Sequence, residues 1–327
     1  MKTYIARRLL LSLPVFLGLL LFTFLLIRLQ PNGPFETTAG GNPLPENTRM
    51  ALERAYGLDR PLYEQFGRYV VQIMSGNLGP MLRTQFLTVN EVVATTLPVT
   101  LQLGVMAMAL GLAIGLPAGV YAAVHHNQPG DYLATLLAVI GVSIPTLAIA
   151  PFLVLFLALR ADWFPIAFWG SQPPFVLGFL PDFSFEFLRH AALPVITLGI
   201  GISAGVARLT RASLLEQLDQ DYIRTARAKG LVESLVVYRH ALKNAMIPVV
   251  TTAGTLLVAI LPGSIVVELI FAINGLGRNL VQAIRSREYF LVSSSILIFS
   301  LIIVLGNLAA DVIYAWLNPR IHYGQSD

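Results

Sequence analysis

The 327-residue chain contains no cysteine, which excludes disulfide staples, thiolate-held zinc or iron–sulfur centres and thiol nucleophiles. Charge is scarce as well: Asp, Glu, Lys and Arg make up 12%, against roughly 25% in an ordinary soluble domain. Together with 55% hydrophobic residues and a mean hydropathy of +0.69, this excludes a disordered chain, which needs the opposite balance, and argues against a soluble enzyme. The only lysines are Lys2, Lys229 and Lys243, and none follows a G-x-x-x-x-G-K-[ST] pattern, so no phosphate-cradling P-loop is encoded. G-x-S-x-G and H-E-x-x-H are missing too, and Ser, His and acidic residues do not gather into a hydrolase pattern. His125 and His126 precede Asn127-Gln128-Pro129-Gly130-Asp131, which reads as a short turn; two adjacent histidines alone make a poor metal site.

What is present is apolar and long. Residues 9–27, 92–124, 132–159, 190–207, 244–267 and 289–310 contain no Asp, Glu, Lys or Arg. About 20 apolar residues at 1.5 Å each cross a hydrocarbon core of about 30 Å. Lipid-exposed backbone must satisfy its own hydrogen bonds, and these runs lack the two-residue alternation of a barrel strand. The expected fold is all-α, a polytopic membrane protein with six transmembrane helices. The first run is too long for a signal-peptide core and is followed by Arg28-Leu29-Gln30-Pro31, so an uncleaved helix is expected. No acid or base lies mid-run, as ion coupling would require; Asp311 and Glu268 fall at run ends, where helix-end packing is the ordinary role.

Six spans place both termini on one side. Counting bases near span ends and in short loops, and setting aside Arg49, Arg54, Arg60 and Arg68 deep in the long segment 28–91, favours termini on the inner face. The expected layout is a first helix at 1–30, an external insertion at 31–91, a five-helix core at 92–318 and a tail at 319–327. The insertion starts with the turn formers Pro31 to Pro34 and Gly40 to Pro43. It then reads as amphipathic helix from Glu46 to Met74, broken at Gly57-Leu58-Asp59-Arg60-Pro61, with Asp59 placed to cap a helix starting at Pro61. Trp163, Phe164, Pro165 and Trp169 give 160–189 the composition of the outer headgroup region. Pro98 and Pro248 are placed to open helices, and Pro145 to break one. Gly111 and Gly115 form a G-xxx-G, as compatible with ordinary glycine content as with a specific helix contact.

Seven of the 22 basic residues crowd between Arg208 and Lys243. There, Asp219 or Asp221 can cap a short helix carrying Arg224, Arg227 and Lys229, with small Ala226 and Ala228, and Gly230 can end it in a left-handed conformation. Physical chemistry alone leaves two readings open: a projecting helix for another protein's groove, or a basic loop on anionic headgroups.

The run Asp221-Tyr222-Ile223-Arg224-Thr225-Ala226-Arg227-Ala228-Lys229-Gly230, then nine residues, then His240-Ala241-Leu242-Lys243-Asn244-Ala245-Met246-Ile247-Pro248, resembles the EAA loop of binding-protein-dependent ABC importer permeases, dipeptide/oligopeptide branch. Gly57 to Tyr63, Gly76 to Gly79, Leu97 to Leu101, Ser143-Ile144-Pro145, Arg189-His190 with Leu193-Pro194, and Ala207 to Arg211 resemble other stretches of that family. Asn274-Gly275-Leu276-Gly277, Arg287-Glu288-Tyr289-Phe290 and Asn318-Pro319-Arg320 depart from its usual pattern. The resemblance implies the type I ABC importer permease fold and the B-type subunit, whose mark is the long segment after the first span. It also implies a bacterial or archaeal cell membrane setting and no catalytic residue or cofactor in this chain, ATP and Mg being bound by partners. The implied partners are a second homologous permease, two cytoplasmic ATPases, an extracytoplasmic substrate-binding protein and the bilayer, with no nucleic acid. Asp221, Tyr222, Arg224, Thr225, Ala226, Arg227, Ala228, Lys229, Gly230, His240, Asn244 and Pro248, within the loop 208–248, would form the ATPase-coupling site. Of these, Ala226 and Gly230 are expected to give a tight fit, and Arg224, Arg227 and Lys229 electrostatic contacts. Polar span residues Gln102, Ser143, Thr197, Thr255 and Ser264 are candidates for the substrate path, helix–helix hydrogen bonding being the plainer role for each. Peptides are the expected substrates, with glutathione, nickel chelates or sugars as alternatives. An ion-coupled carrier or a membrane enzyme would need buried charge or a convergent acid, base or metal set.

Overall fold

The computed structural model describes residues 2–28, 45–55, 59–81 and 87–317. The turn residues 31–43, Gly57 and Leu58 and the tail fall outside them, as do the side chains of Lys2, Arg7, Arg8, Ala253, Gly254, Thr255, Pro262 and Asp311. Among the described residues the structure is helical, its only extended pairings being the isolated bridges Pro80–Thr88 and Val176–Leu180.

The helices are α1 (Lys2–Arg28), α2 (Glu46–Ala55), α3 (Leu62–Met74), α4 (Val89–Val124), α5 (Pro129–Ser143) and α6 (Thr146–Leu153), the last continued by a π-helical stretch Val154–Arg160. They are followed by α7 (Phe185–Leu218), α8 (Asp221–Ala228) and the single turn α9 (Glu233–Leu235), which runs through a second π-helical stretch, Val236–Ala241, into α10 (Leu242–Ile270). Finally come α11 (Leu276–Ser286) and α12 (Tyr289–Leu317). Val89–Val124, Phe185–Leu218 and Tyr289–Ala310 are each long and apolar enough to cross a membrane alone, and α5 with the helix after Pro145 forms a fourth crossing bent by 102°. Within α1, Leu10–Leu26 is apolar, and α10 covers the remaining charge-free run.

The helix ends depart from expectation in several places. Pro98 lies inside α4 and Pro248 inside α10, so neither opens its helix. Asp59 makes no cap; α3 starts after Pro61, whose missing N–H is harmless there. The loop expected from 208 is helical to Leu218 and again from Leu242, which leaves 219–241 as the connection.

Two compact units are present. One holds residues 2–98 and 274–304. There α1 is tied to α3 by a Thr23–Tyr69 hydroxyl hydrogen bond of 3.0 Å and by the Arg28 guanidinium, which donates to Gln65 at 2.7 Å. At the start of α12, Ser294 donates to the Leu78 carbonyl at 3.3 Å, and the Phe290 ring lies so close to Gly79 that a Cβ there would meet it at 2.8 Å.

The other unit contains Val99–Ile273 and the chain from Leu305. Its organising contact is α4 on α7. Cβ atoms added at Gly111, Gly115 and Gly119 would meet Ile202 at 2.4 Å, the Ser203 carbonyl at 2.6 Å and the Ala207 carbonyl at 2.6 Å. Glycine one turn apart on α4 lets the two backbones touch, which is what a small-xxx-small stripe does in a membrane. The contact points rise together along both helices, so α4 and α7 run parallel. Against α7, α10 runs antiparallel: Gly263 packs on Leu198, while Ser213 donates to the Ala245 carbonyl at 2.9 Å.

Parallel neighbours decide what the bent pair does. A chain leaving the end of α4 must recross before it can start α7 on the original side. At the start of α5, Asp131 meets Arg211 near the end of α7, whereas Trp163, just beyond the π-helical stretch, receives a hydrogen bond from Arg189 near its beginning. Those two arginines lie about 33 Å apart along a helix, the thickness of the hydrocarbon core. The pair is therefore one broken span and not a re-entrant loop, with Pro145, as expected, at the break.

Candidate functional site

The connection between α7 and α10 stands on a small core of its own. Ile223 and Ala226, three apart and so on one face of α8, are buried with Val120 and Ala123 of α4, Leu214 of α7, and Val236, Val237, Ala241 and Ala245. The remaining face carries Asp221, Tyr222, Arg224, Thr225, Arg227, Ala228 and Lys229, all exposed. Ala226 thus packs into its own chain, and the small side chain that faces outward is Ala228.

Gly230 ends the helix as its position suggested. It takes φ +74°, its N–H donates to the Arg227 carbonyl at 2.9 Å, and the Leu231 N–H reaches the Ala226 carbonyl at 3.4 Å, the paired bonds of a Schellman turn. Nothing lies within 4 Å of where its Cβ would be. What demands glycine is the left-handed backbone and not a tight fit. Gln220, and neither aspartate, occupies the N-cap position, without a side-chain cap bond.

Side chains brace this projection from both flanks. The Arg227 guanidinium forks onto the Glu233 carboxylate at 2.6 and 3.1 Å. Each holds the other charged: the Glu233 carboxyl titrates below its ordinary range because it accepts from Arg227, and Arg227 is raised by the same hydrogen bonds. Asn244 donates to the Tyr222 hydroxyl at 3.1 Å, and that hydroxyl donates to Gln217 at 2.9 Å, so α7, α8 and α10 share one short chain of bonds. Thr225 donates back to the Asp221 carbonyl and Arg224 pairs loosely with Asp221 at 3.5 Å. His240 is half-buried in the π-helical stretch, Lys243 is exposed, and Pro248 is exposed within α10.

Beside this end sits an ion pair that sequence reasoning missed. Asp131 is 1% exposed, and Arg211 donates to both its oxygens, at 2.5 and 2.7 Å. The Asn127 N–H at 3.0 Å and Thr135 at 3.3 Å donate to the same carboxylate, and His126 Nδ1 lies 3.2 Å away. The turn is thereby bolted to α7. One signal was available: Asp131 is the only acid between Glu91 and Asp162, and a lone acid among so many apolar residues needs a partner.

The path candidates separate by burial. Gln102 is buried, receives the Trp169 indole N–H at 2.7 Å and donates to the Phe179 carbonyl at 2.6 Å, so both ends of its amide hold the 161–184 loop on α4. Thr197 donates to the Leu193 carbonyl and Ser264 to the Leu261 carbonyl, both within buried helix surface. Ser143, at the break, is exposed, and the Thr255 side chain lies outside the described set. Glu268 is fully buried at the far end of α10 and accepts from Thr100 at 2.7 Å, a helix-end packing role.

Comparison with known proteins is consistent along the whole chain. Residues 115–323 match the family described as "Binding-protein-dependent transport system inner membrane component", and residues 1–104 match the N-terminal component of that description. The chain is 34% identical to the oligopeptide transport system permease protein OppB of Haemophilus influenzae, over 99% of this chain and 100% of that one. It is 37% identical to the glutathione transport system permease protein GsiC of Shigella flexneri (99% and 100% covered) and to the dipeptide transport system permease protein DppB of Bacillus subtilis (98% of each). In structure it is similar to a chain of the MetNI methionine ABC transporter, determined in inward-facing conformations. In one crystal form the TM-score is 0.54 at 20% identity, covering 67% of this chain and 93% of that one; in a second it is 0.55 at 18% with the same coverage.

Proposed function

The chain belongs to the binding-protein-dependent transport system inner membrane components, the permease subunits of ABC importers, and from that premise we propose that it forms half of a translocation path for peptides. Relatives of about equal identity are named for oligopeptides, dipeptides and glutathione. Glutathione is itself a modified tripeptide, so a peptide backbone is the chemistry those names share.

The observation that carries the mechanism is α8, a short helix with a polar, exposed face standing on a buried foot shared with α4, α7 and α10. In this reading a second permease completes the path, a substrate-binding protein delivers the peptide from outside, and two ATPases, which hold ATP and Mg, grip α8 from the cytoplasm. Arg224, Lys229 and Ala228 are the side chains presented to each ATPase, and Arg227 and Tyr222 stiffen the projection. A close-packed foot moves as a body rather than compressing, so displacement of α8 reaches three spans together. Both termini then lie in the cytoplasm, as the basic residues near span ends favour. Ser143, at the break, is the best-placed path residue among the candidates.

Reconstitution tests this directly. Proteoliposomes containing this chain with its sister permease, ATPases and binding protein should accumulate a labelled dipeptide only when ATP is supplied on the ATPase side. Accumulation driven by an ion gradient without ATP would reject the reading.

A further inference from the structure

A second site lies away from α8, on a flank where α5 exposes apolar side chains. Together α4, α5, α6 and α7 enclose a groove of about 640 Å³, lined by Ile114, Leu137, Ile140, Phe152, Ile200 and eleven neighbours, of which only Ser203 carries a polar side chain. Its walls run from Ala134 in α5 to Ile144 just past the helix end, about 15 Å at 1.5 Å per residue. That is half of the roughly 30 Å hydrocarbon core, the depth of a single leaflet.

The groove has a polar end. Ala118, Ala134, Ala138 and Ala207 belong both to it and to a small cleft that continues to Arg208 and Arg211. Arg211 is neutralised there by Asp131. Arg208, one residue past the groove wall at Ala207, is exposed and makes no ion pair among the described residues. One uncompensated cation thus stands at the mouth of an apolar slot one leaflet deep.

The geometry points to a phospholipid site: one acyl chain of the leaflet on the Arg208 side lies in the groove, with an anionic headgroup phosphate on the Arg208 guanidinium. A sister permease would fit as well only if it brought both an apolar ridge to the slot and an acid to Arg208. An acyl chain fills the apolar slot and its headgroup supplies the missing charge. A basic residue near a membrane surface favours anionic lipid by about fivefold.

The test is photocrosslinking in the assembled transporter, reconstituted in nanodiscs of equal parts phosphatidylglycerol and phosphatidylcholine. A photoreactive residue replaces Leu137, an exposed lining position whose change should not disturb folding. The expected adduct is a phospholipid, with phosphatidylglycerol recovered about fivefold over phosphatidylcholine and the two recovered equally after Arg208→Gln. An adduct to a second permease polypeptide overturns the proposal, as does a lipid adduct with no headgroup preference in the parent protein, or no adduct at all. Retention of the complex on size exclusion separates each outcome from misfolding.

Discussion

The two ends of the α4–α7–α10 bundle are fastened by different chemistry. At the Arg211 end two ion pairs take part in the fastening, Asp131 with Arg211 and Arg227 with Glu233, and the neutral Asn244–Tyr222–Gln217 chain links three helices. At the Trp163 end, single hydrogen bonds and ring packing hold the 161–184 loop to the helices. Trp169 donates to Gln102, Phe168 N–H to the Phe271 carbonyl at 2.8 Å, Arg189 to the Trp163 carbonyl, and Trp169 packs edge-on against Phe187. A buried ion pair is costly to break halfway, because the remaining charge stays desolvated; a neutral hydrogen bond is worth about 1 kcal/mol net. The difference teaches where rigidity has been placed. The end that carries α8 is built to move as one piece, while at the opposite end the loop 161–184 is held on the helices by contacts that can be exchanged singly.

The largest effect expected from breaking this contrast is at Asp131. Arg211→Met leaves a carboxylate 1% exposed without its main partner and should cost about 3–5 kcal/mol. The double change Asp131→Asn with Arg211→Met should recover much of the loss; thermal unfolding of the solubilised protein measures both. Gly119→Leu comes next. Its Cβ alone would sit 2.6 Å from the Ala207 carbonyl and from Thr210, so about 1–3 kcal/mol of overpacking is expected, with α4 forced off α7.

At the other end, Trp169→Phe takes a neutral donor from the buried Gln102 amide and should cost about 1–3 kcal/mol, with uptake retained; a loss as large as that of Arg211→Met would erase the contrast. The smallest effect is at Glu233. Its carboxyl is held below its ordinary value by Arg227, so the pair's contribution is complete above the unfolded carboxylate range and fades as pH falls through the lowered value. Exposed pairs are worth at most about 1 kcal/mol. Glu233→Gln should therefore be slightly less stable than the parent at neutral pH and equal to it in acid, as a pH series of unfolding midpoints would report.

How far this contrast could be read from the residues alone depends on range. The helical membrane fold followed from runs without charge, and the break at Pro145 and the left-handed turn at Gly230 followed from local backbone chemistry. Asp131–Arg211 spans 80 residues and exists only because α4 and α7 are parallel, a fact carried by glycines whose packing partner no local pattern names. Nor could an eight-residue helix declare its inner face. Ala226 and Ala228 are equally small, and only the foot built by Val120, Leu214 and Val237 decides that the first is buried and the second presented. Pro98 reads as a helix start, yet α4 begins nine residues earlier. Gln102 is a path candidate with helix–helix hydrogen bonding as its plainer role, and its actual partners, Trp169 and Phe179, come from a loop whose position no periodicity encodes.

The central claim is that α8 presents its polar face to the ATPase and transmits its movement. The absence of native cysteine allows a clean measurement: one cysteine at the exposed Ala228, paired with a scan of single cysteines across the ATPase surface in the assembled transporter. The account predicts a disulfide crosslink at Ala228 that blocks ATP-driven uptake and is reversed by reductant, and none from Leu177 in the Trp163-end loop. An Ala228 cysteine that stays freely reactive to a bulky maleimide in the assembled complex, with uptake undiminished by that label, would contradict it.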